Sequence, residues 1–204
     1  MKKIPSIGTS QSSPLRIAEV LFGEREGRLG LTFCPGKKDQ GYRWDRDLDA
    51  DLMVIQNWGA STVMTLIEPH EFELLQVADL GQAVTRLGLR WIHLPIRDVD
   101  VPDQRFELGW KSAGQEIHQR LDAGERIVIH CRGGVGRTGL VAAQILIERG
   151  CASRDAIHRV RAVRSGAIET WAQEQYVLAL SARPSRTPAT MPSPGCRHSS
   201  RKSR

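Results

Sequence analysis

The sequence is poor in aromatic residues, which make up 5% of its 204 positions, and it holds only four cysteines. Cys34, Cys131, Cys151 and Cys196 are too few and too scattered for a disulfide framework, which excludes a stapled secreted module. No run of 18 apolar residues occurs, so a membrane-spanning helix is not expected. The first fourteen residues are basic and then serine-rich, and they lack the apolar stretch of a secretory signal. No second His or Cys stands at ligand spacing beside another, so neither a metal nor a cofactor is expected. These absences point to a cytoplasmic protein without a membrane partner.

The last stretch of the chain also lacks acid. From Ala182 onward the chain carries Arg183, Arg186, Arg197, Arg201, Lys202 and Arg204 and no acidic residue. Those six account for the whole formal charge of +6, so the rest is balanced and gives no reason to expect nucleic acid. The stretch is also rich in Pro, Ser and Thr, which predicts a solvated tail at 182–204. With 40% hydrophobic and 25% charged residues, the remainder suits one globular domain over 15–181, behind a flexible leader at 1–14.

Within that domain strands and helices alternate. Arg16–Phe22 and Leu29–Phe33 read as a strand pair, Asp45–Trp58 as a helix, and Thr62–Ile67 as a buried strand. Glu71–Leu87 reads as one or two helices and Leu89–Leu94 as a strand. Asp103–Ala123 is a long helix, and Arg126–His130 another buried strand. Only helices follow: Thr138–Arg149, Ser153–Arg164 with Ser153 as N-cap, and Thr170–Ser181. The expected fold class is α/β, a central largely parallel sheet flanked by helices, with ligands bound beyond the carboxyl ends of the strands.

The loop after the last strand is His130-Cys131-Arg132-Gly133-Gly134-Val135-Gly136-Arg137-Thr138-Gly139. Gly134 to Gly139 also satisfies the dinucleotide fingerprint G-x-G-x-x-G, but no acid-bearing strand follows and Arg159 and Arg161 stand in that region. A Walker loop is excluded because Arg137-Thr138 replaces Lys-Ser/Thr and the upstream glycine spacing differs. What remains is Cys-x5-Arg-Thr. Five intervening residues let successive amides turn inward around an anion, and Gly133, Gly134 and Gly136 allow the curvature. The helix beginning near Arg137 turns its positive end to the same centre, which favours a thiolate at Cys131. Arg137 can hold two phosphoryl oxygens with its planar fork, and Thr138 can hydrogen-bond the sulfur.

This segment resembles the signature loop of the protein-tyrosine/dual-specificity phosphatase superfamily. Leu94-Pro-Ile-Arg-Asp-Val-Asp-Val-Pro-Asp103 resembles its general-acid loop, and Gly166-Ala-Ile-Glu-Thr-Trp-Ala-Gln-Glu-Gln-Tyr-Val177 its water-positioning segment. With Cys34-Pro-Gly36, these segments are most similar to the cyclin-dependent-kinase-associated type, over roughly residues 28–180. The resemblance implies the dual-specificity cysteine-phosphatase fold and a phosphocysteine intermediate. It implies Cys131 as nucleophile, Arg137 as clamp, Asp98 as acid and then as base for the attacking water, and Gln173 as orienter of that water. It also implies Arg132 to Arg137 as the phosphate loop, and His130 as a support bonded within the loop backbone.

Asp100 and Asp103 remain rivals for the acid, although Asp103 after Pro102 suits a helix cap, and Gln175 remains a weaker rival of Gln173. Glu169 departs from the kinase-associated type, which tends to have Gln there. A phosphorylated protein is the implied substrate, because Arg132 is the loop's one extra cation where phosphoinositide enzymes favour two lysines. A phosphoinositide or other small phosphoester and a rhodanese-like sulfurtransferase are the alternatives. Arg154, Arg159, Arg161 and Arg164 read as a solvated helix face, opposite Ala156, Ile157, Val160 and Val163 in the core.

Overall fold

The computed structural model describes residues 7–23, 26–39, 41 and 43–180. Five strands form one sheet in the order β1-β2-β7-β5-β6. They are β1 (Ala18–Leu21), β2 (Arg28–Phe33), β5 (Ala60–Thr65), β6 (Arg90–His93) and β7 (Arg126–Cys131). β1 is antiparallel to β2, and the other pairings are parallel. The last strand in sequence is thus inserted at the centre, between β2 and β5, and its carboxyl end opens where the strand order reverses.

Strand alternation divides the core. Ile127 and Ile129 of β7 face one side and Val128 the other. On the first side lie α4 (Gln104–Asp122), α5 (Gly136–Glu148), α6 (Ser153–Val163) and α7 (Trp171–Leu180), giving a cluster with Phe106, Ile117, Leu140, Ile145, Val160 and Val177. On the second lie α1 (Leu48–Asn57) and α3 (Leu80–Arg86), with Leu52, Ile55, Leu80 and Val84. The short α2 (Pro69–Leu74) follows β5. From Gly136 to Leu146 every residue of α5 is buried, so this helix runs through the interior behind the central strand.

The alternation expected from the sequence is present, with local corrections. Two short strands, β3 (Lys38–Asp39) and β4 (Trp44–Asp45), pair antiparallel, so the first helix begins at Leu48 rather than Asp45. Asp47 caps that helix by accepting the Ala50 amide at 2.8 Å. Ser153 is not an N-cap: Ala152 holds the extended cap position and Ser153 is the first helical residue. The loop helix starts at Gly136, two residues before the expected Thr138. Of the leader expected at 1–14, residues 7–14 include a segment tied to the domain. The Gly8 amide donates to the Arg43 carbonyl, and the Ser10 hydroxyl to Asp51. Residues 1–6 and the tail at 182–204 lie outside the described residues.

Candidate active site

Cys131 ends β7, paired with Phe33 of β2, while β5 pairs with β7 as far as the preceding His130. The strand places its thiol at the mouth of the loop, where the Gly134 amide donates to the sulfur at 3.2 Å. Gly134 sits at φ 68, and a Cβ there would overlap the Thr32 carbonyl, so the turn requires glycine. Val135 opens α5 without any side-chain cap, and the first amide bonded inside the helix is that of Gly139, to the Val135 carbonyl. The earlier amides therefore lack carbonyl partners within the helix, and the positive end of the dipole lies beside the thiol.

Arg137 is fully buried and is fixed by a network invisible in the sequence. Its Nη1 and Nη2 donate to Glu71 Oε2 at 2.6 Å and Oε1 at 2.9 Å, a bidentate pair in which the carboxylate is also buried. The same guanidinium reaches the Ile96 carbonyl at 3.1 Å and forms an ion pair with Asp98 at 2.8 Å. Burial alone would raise the Glu71 carboxyl, but the hydrogen bonds and charge of Arg137 outweigh it and hold Glu71 below the ordinary range. Burial alone would lower the guanidinium, and Glu71, Cys131 and Asp98 together push it up instead, so it stays charged. Arg137 Nε and Thr138 Oγ1 are buried donors without a hydrogen-bond partner among the described residues. Both belong to the loop that would surround an oxyanion.

The three candidate acids separate clearly. Asp98 is half-exposed and touches Arg137. Asp100 pairs with Arg97 at 3.6 Å and accepts the Val101 amide. Asp103 caps α4, accepting the Phe106 amide at 2.9 Å. Gln173 is fully buried beside the loop, whereas Gln175 is exposed. His130 Nε2 hydrogen-bonds the side chain of Thr65 on β5 at 2.8 Å, a partner the sequence did not show. Burial pushes this imidazole down to about 3, so it is neutral.

Three further groups at the loop were not read correctly from sequence. Arg132 turns to Asp39, donating at 2.8 and 3.1 Å to a carboxylate that is buried. Lys37, also buried, donates to the Arg132 carbonyl at 3.1 Å and stands 5.0 Å from the Phe33 ring, and burial lowers its pKa. Arg164 donates to the carbonyls of Gly134 at 2.9 Å and Gly133 at 3.0 Å, bracing the turn from α6. Arg161 likewise binds the Ala167 and Ile168 carbonyls and Glu174, and Arg159 binds the Leu21 carbonyl. The solvated arginine face is thus corrected: three of its four members brace neighbouring segments, while Val163, expected in the core, is exposed.

A thiol at the end of a central parallel strand, bonded by the Gly134 amide beside a helix start and backed by a fixed arginine, defines a cysteine-based phosphatase. A family model described as "Tc-R-P: Polymorphic toxin system, DSP-PTPase phosphatase" matches residues 41–151, more than half of the chain. Cyclin-dependent kinase inhibitor 3 of Rattus norvegicus is 32% identical over 152 residues, covering 73% of this chain and 69% of that protein. Its Homo sapiens counterpart is 30% identical with the same coverage. The structure of a kinase-associated phosphatase, with a serine in place of its catalytic-site cysteine, superposes with a TM-score of 0.73. It is 26% identical to this chain, and the match covers 84% of this chain and 99% of that one. The chain belongs to the dual-specificity type of the protein-tyrosine phosphatase family, and it is a cysteine-based protein phosphatase. These matches do not favour the sulfurtransferase alternative.

Proposed function

We propose that residues 15–181 form a single phosphatase domain that removes phosphate from phosphorylated protein side chains, with Cys131 as nucleophile, Arg137 as clamp and Asp98 as proton donor. The observation that carries this assignment is the Gly134 amide donating to the Cys131 sulfur while Arg137 is fixed by Glu71 within the same loop. A phosphoryl dianion enters the ring of loop amides, the sulfur attacks phosphorus, and the oxygen–phosphorus bond breaks. Asp98 gives its proton to the departing oxygen, so an alcohol or phenol leaves and a phosphocysteine remains. Thr138, whose hydroxyl has no hydrogen-bond partner among the described residues, is suited to stabilise the sulfur when the thiolate is expelled.

A protein substrate is supported by the relatives, which bear on protein kinases by name. The bidentate tie of Arg132 to Asp39 fits poorly with gripping the second phosphate of a phosphoinositide. Val99 in the acid loop and Trp171 at the start of α7 are exposed, and their segments are joined by the bond between Gln173 and the Asp100 carbonyl. They offer apolar lips to a peptide rather than to a sugar ring. A thiolate enzyme of this kind suits the reducing cytoplasm. Among the described residues no helix is long and apolar enough to cross a membrane.

The test is Cys131→Ser. Turnover of p-nitrophenyl phosphate and of a phosphotyrosine peptide should vanish while vanadate still binds. Hydrolysis at the parent rate would refute the assignment, and faster turnover of phosphoinositides than of phosphopeptides would refute the substrate class.

A further inference from the structure

Lys37 carries a buried ammonium that the chemistry above leaves without a part. Its Nζ lies 5.0 Å from the Phe33 ring and 5.3 Å from the Trp44 ring, and the two rings stack on each other. Burial lowers its pKa, while Cys34, Asp39 and Cys131 oppose that fall. Taking a cation out of water is costly unless it is bonded. The ammonium's hydrogen bond among the described residues goes to the Arg132 carbonyl, at 3.1 Å. The backbone that presents it is fixed. The Gly36 amide donates to Asp51 at 2.9 Å, the Arg46 amide to the Lys37 carbonyl at 3.2 Å, and the Lys38 amide to the Leu75 carbonyl at 2.9 Å.

What that bond does follows from the geometry of the peptide unit. In a trans peptide the carbonyl of one residue and the amide of the next point in opposite directions. A carbonyl tied outside the loop therefore turns the following amide to the inside. The Gly133–Gly134 unit shows the pattern. Arg164 donates to the Gly133 carbonyl at 3.0 Å from beyond the loop, and the Gly134 amide donates inward to the Cys131 sulfur at 3.2 Å. Arg164 also donates to the Gly134 carbonyl at 2.9 Å, which turns the Val135 amide inward. The Arg132 carbonyl is tied from elsewhere, by Lys37 and by the Cys34 amide at 3.3 Å, and so the Gly133 amide is turned inward too. A Cβ on Gly133 would meet nothing within 4 Å, so packing does not hold that peptide in place. The Gly133 and Val135 amides have no acceptor among the described residues, which leaves both for an anion.

We propose that Lys37 is a positioning residue for phosphate binding, which fixes the Arg132–Gly133 peptide so that the Gly133 amide donates to the phosphoryl group. The proposal rests on the phosphate-loop reading above. Lys37 and Arg164 divide the loop between them: Lys37 sets the Gly133 amide, and Arg164 sets those of Gly134 and Val135. Asp39 of β3 holds the Arg132 side chain at 2.8 and 3.1 Å, so one short segment fixes both the carbonyl and the side chain of the residue after the nucleophile. An amide set in this way bonds the phosphoryl group in the substrate complex and in the transition state alike. Its loss therefore weakens binding more than it slows the chemical step.

The experiment combines proton–nitrogen correlation spectra of the loop amides under saturating vanadate with steady-state kinetics on p-nitrophenyl phosphate. It uses the parent, Lys37→Met, Lys37→Arg and Arg164→Ala. In the parent, vanadate should move the Gly133, Gly134 and Val135 amides downfield. Lys37→Met keeps an apolar stem between the rings and removes the donor. It should lose most of the Gly133 shift and keep that of Val135, whereas Arg164→Ala should do the reverse. Lys37→Met should also raise KM and the vanadate dissociation constant about tenfold, with kcat within about threefold of the parent. Lys37→Arg, which keeps a donor, should return the affinity to within about threefold of the parent. A lysine with only a structural role would lower the Tm of Lys37→Met and leave the Gly133 shift and KM unchanged; that result overturns the proposal. A Gly133 amide that vanadate does not move in the parent overturns it as well, without any variant. If vanadate moves none of these amides and the parent does not hydrolyse p-nitrophenyl phosphate, the phosphate-loop reading itself fails.

Discussion

Replacing Glu71 by glutamine tests whether a buried ion pair, rather than the loop alone, holds the arginine of the phosphate site. Both partners are buried, at 1% and 2% side-chain exposure, and two hydrogen bonds of 2.6 and 2.9 Å join them. Removing one charge of such a pair leaves the other uncompensated in the interior, which costs roughly 3–5 kcal/mol. Here Asp98 at 2.8 Å and the Ile96 carbonyl at 3.1 Å remain, and the glutamine oxygen can accept one bond. Glu71→Gln should therefore fall at or below the lower end, about 2–3 kcal/mol. For a domain of this size that is a fall in Tm of roughly 4–12 °C.

The pH dependence has a definite sign. The folded-state pKa of Glu71 lies below the ordinary value of 4.5 despite burial, because Arg137 holds the ionised form. The stabilisation is thus fully present above that ordinary range and is lost as pH falls through the lower folded value. Urea denaturation of parent and variant should differ most at neutral pH and converge in acid, and kcat/KM should fall at least about tenfold as Arg137 loses its anchor. Equal denaturation midpoints at pH 7, within about 0.5 kcal/mol, would refute the reasoning.

Asp98→Ala should slow hydrolysis of phosphotyrosine, a poor leaving group, by about 100-fold or more and that of p-nitrophenyl phosphate far less. If Asp100→Ala shows that selectivity instead, the acid is misassigned. Arg164→Ala removes two bonds to loop carbonyls and should weaken vanadate binding about tenfold with little change in the leaving-group dependence, measured by titration. Unchanged affinity would make that arginine a bystander. For His130, buried and titrating near 3, stability should be full above about 6.5 and decline as pH falls toward 3, by at most about 1.4 kcal/mol per unit. His130→Asn should flatten that slope in pH-dependent denaturation, and an unchanged slope would remove His130 from the acid response.

The main elements and the loop were legible because both are local signals. The strands announce themselves as short apolar runs, and Cys-x5-Arg between strand and helix carries its chemistry in its own spacing. β3 and β4 were missed because two-residue strands rich in charge, such as Lys38-Asp39, have no hydrophobic period to detect. Glu71 was missed for a different reason: it meets Arg137 across 66 residues, and nothing in its helical turn distinguishes it from a solvated acid. The same holds for Asp39 and Arg132, 93 residues apart. Helical periodicity correctly set Ala156, Ile157 and Val160 against the core, but it could not show that another segment passes over the arginine side of α6. The Gln173 segment was found by resemblance, which locates a side chain without revealing how many of its hydrogen bonds are already taken.

That last distinction bears on how the acid loop works. Val99 lies between Asp98 and Asp100 at φ 55, a conformation worth about 1–3 kcal/mol of strain in a β-branched residue. Its side chain is exposed, so packing does not hold it there. The loop is pinned on both sides of the strained residue: Asp98 by the guanidinium of Arg137, and the Asp100 carbonyl by the amide of Gln173. Because Arg137 is itself anchored by Glu71, and Gln173 by the backbone of Glu169 and Thr170, the strain is sustained by two independent anchors rather than by substrate. Releasing either anchor should relax Val99 and withdraw the acid from the loop. On this account the position of the acid loop is a property of the resting protein, held on one side by Arg137, which also clamps phosphate, and on the other by Gln173.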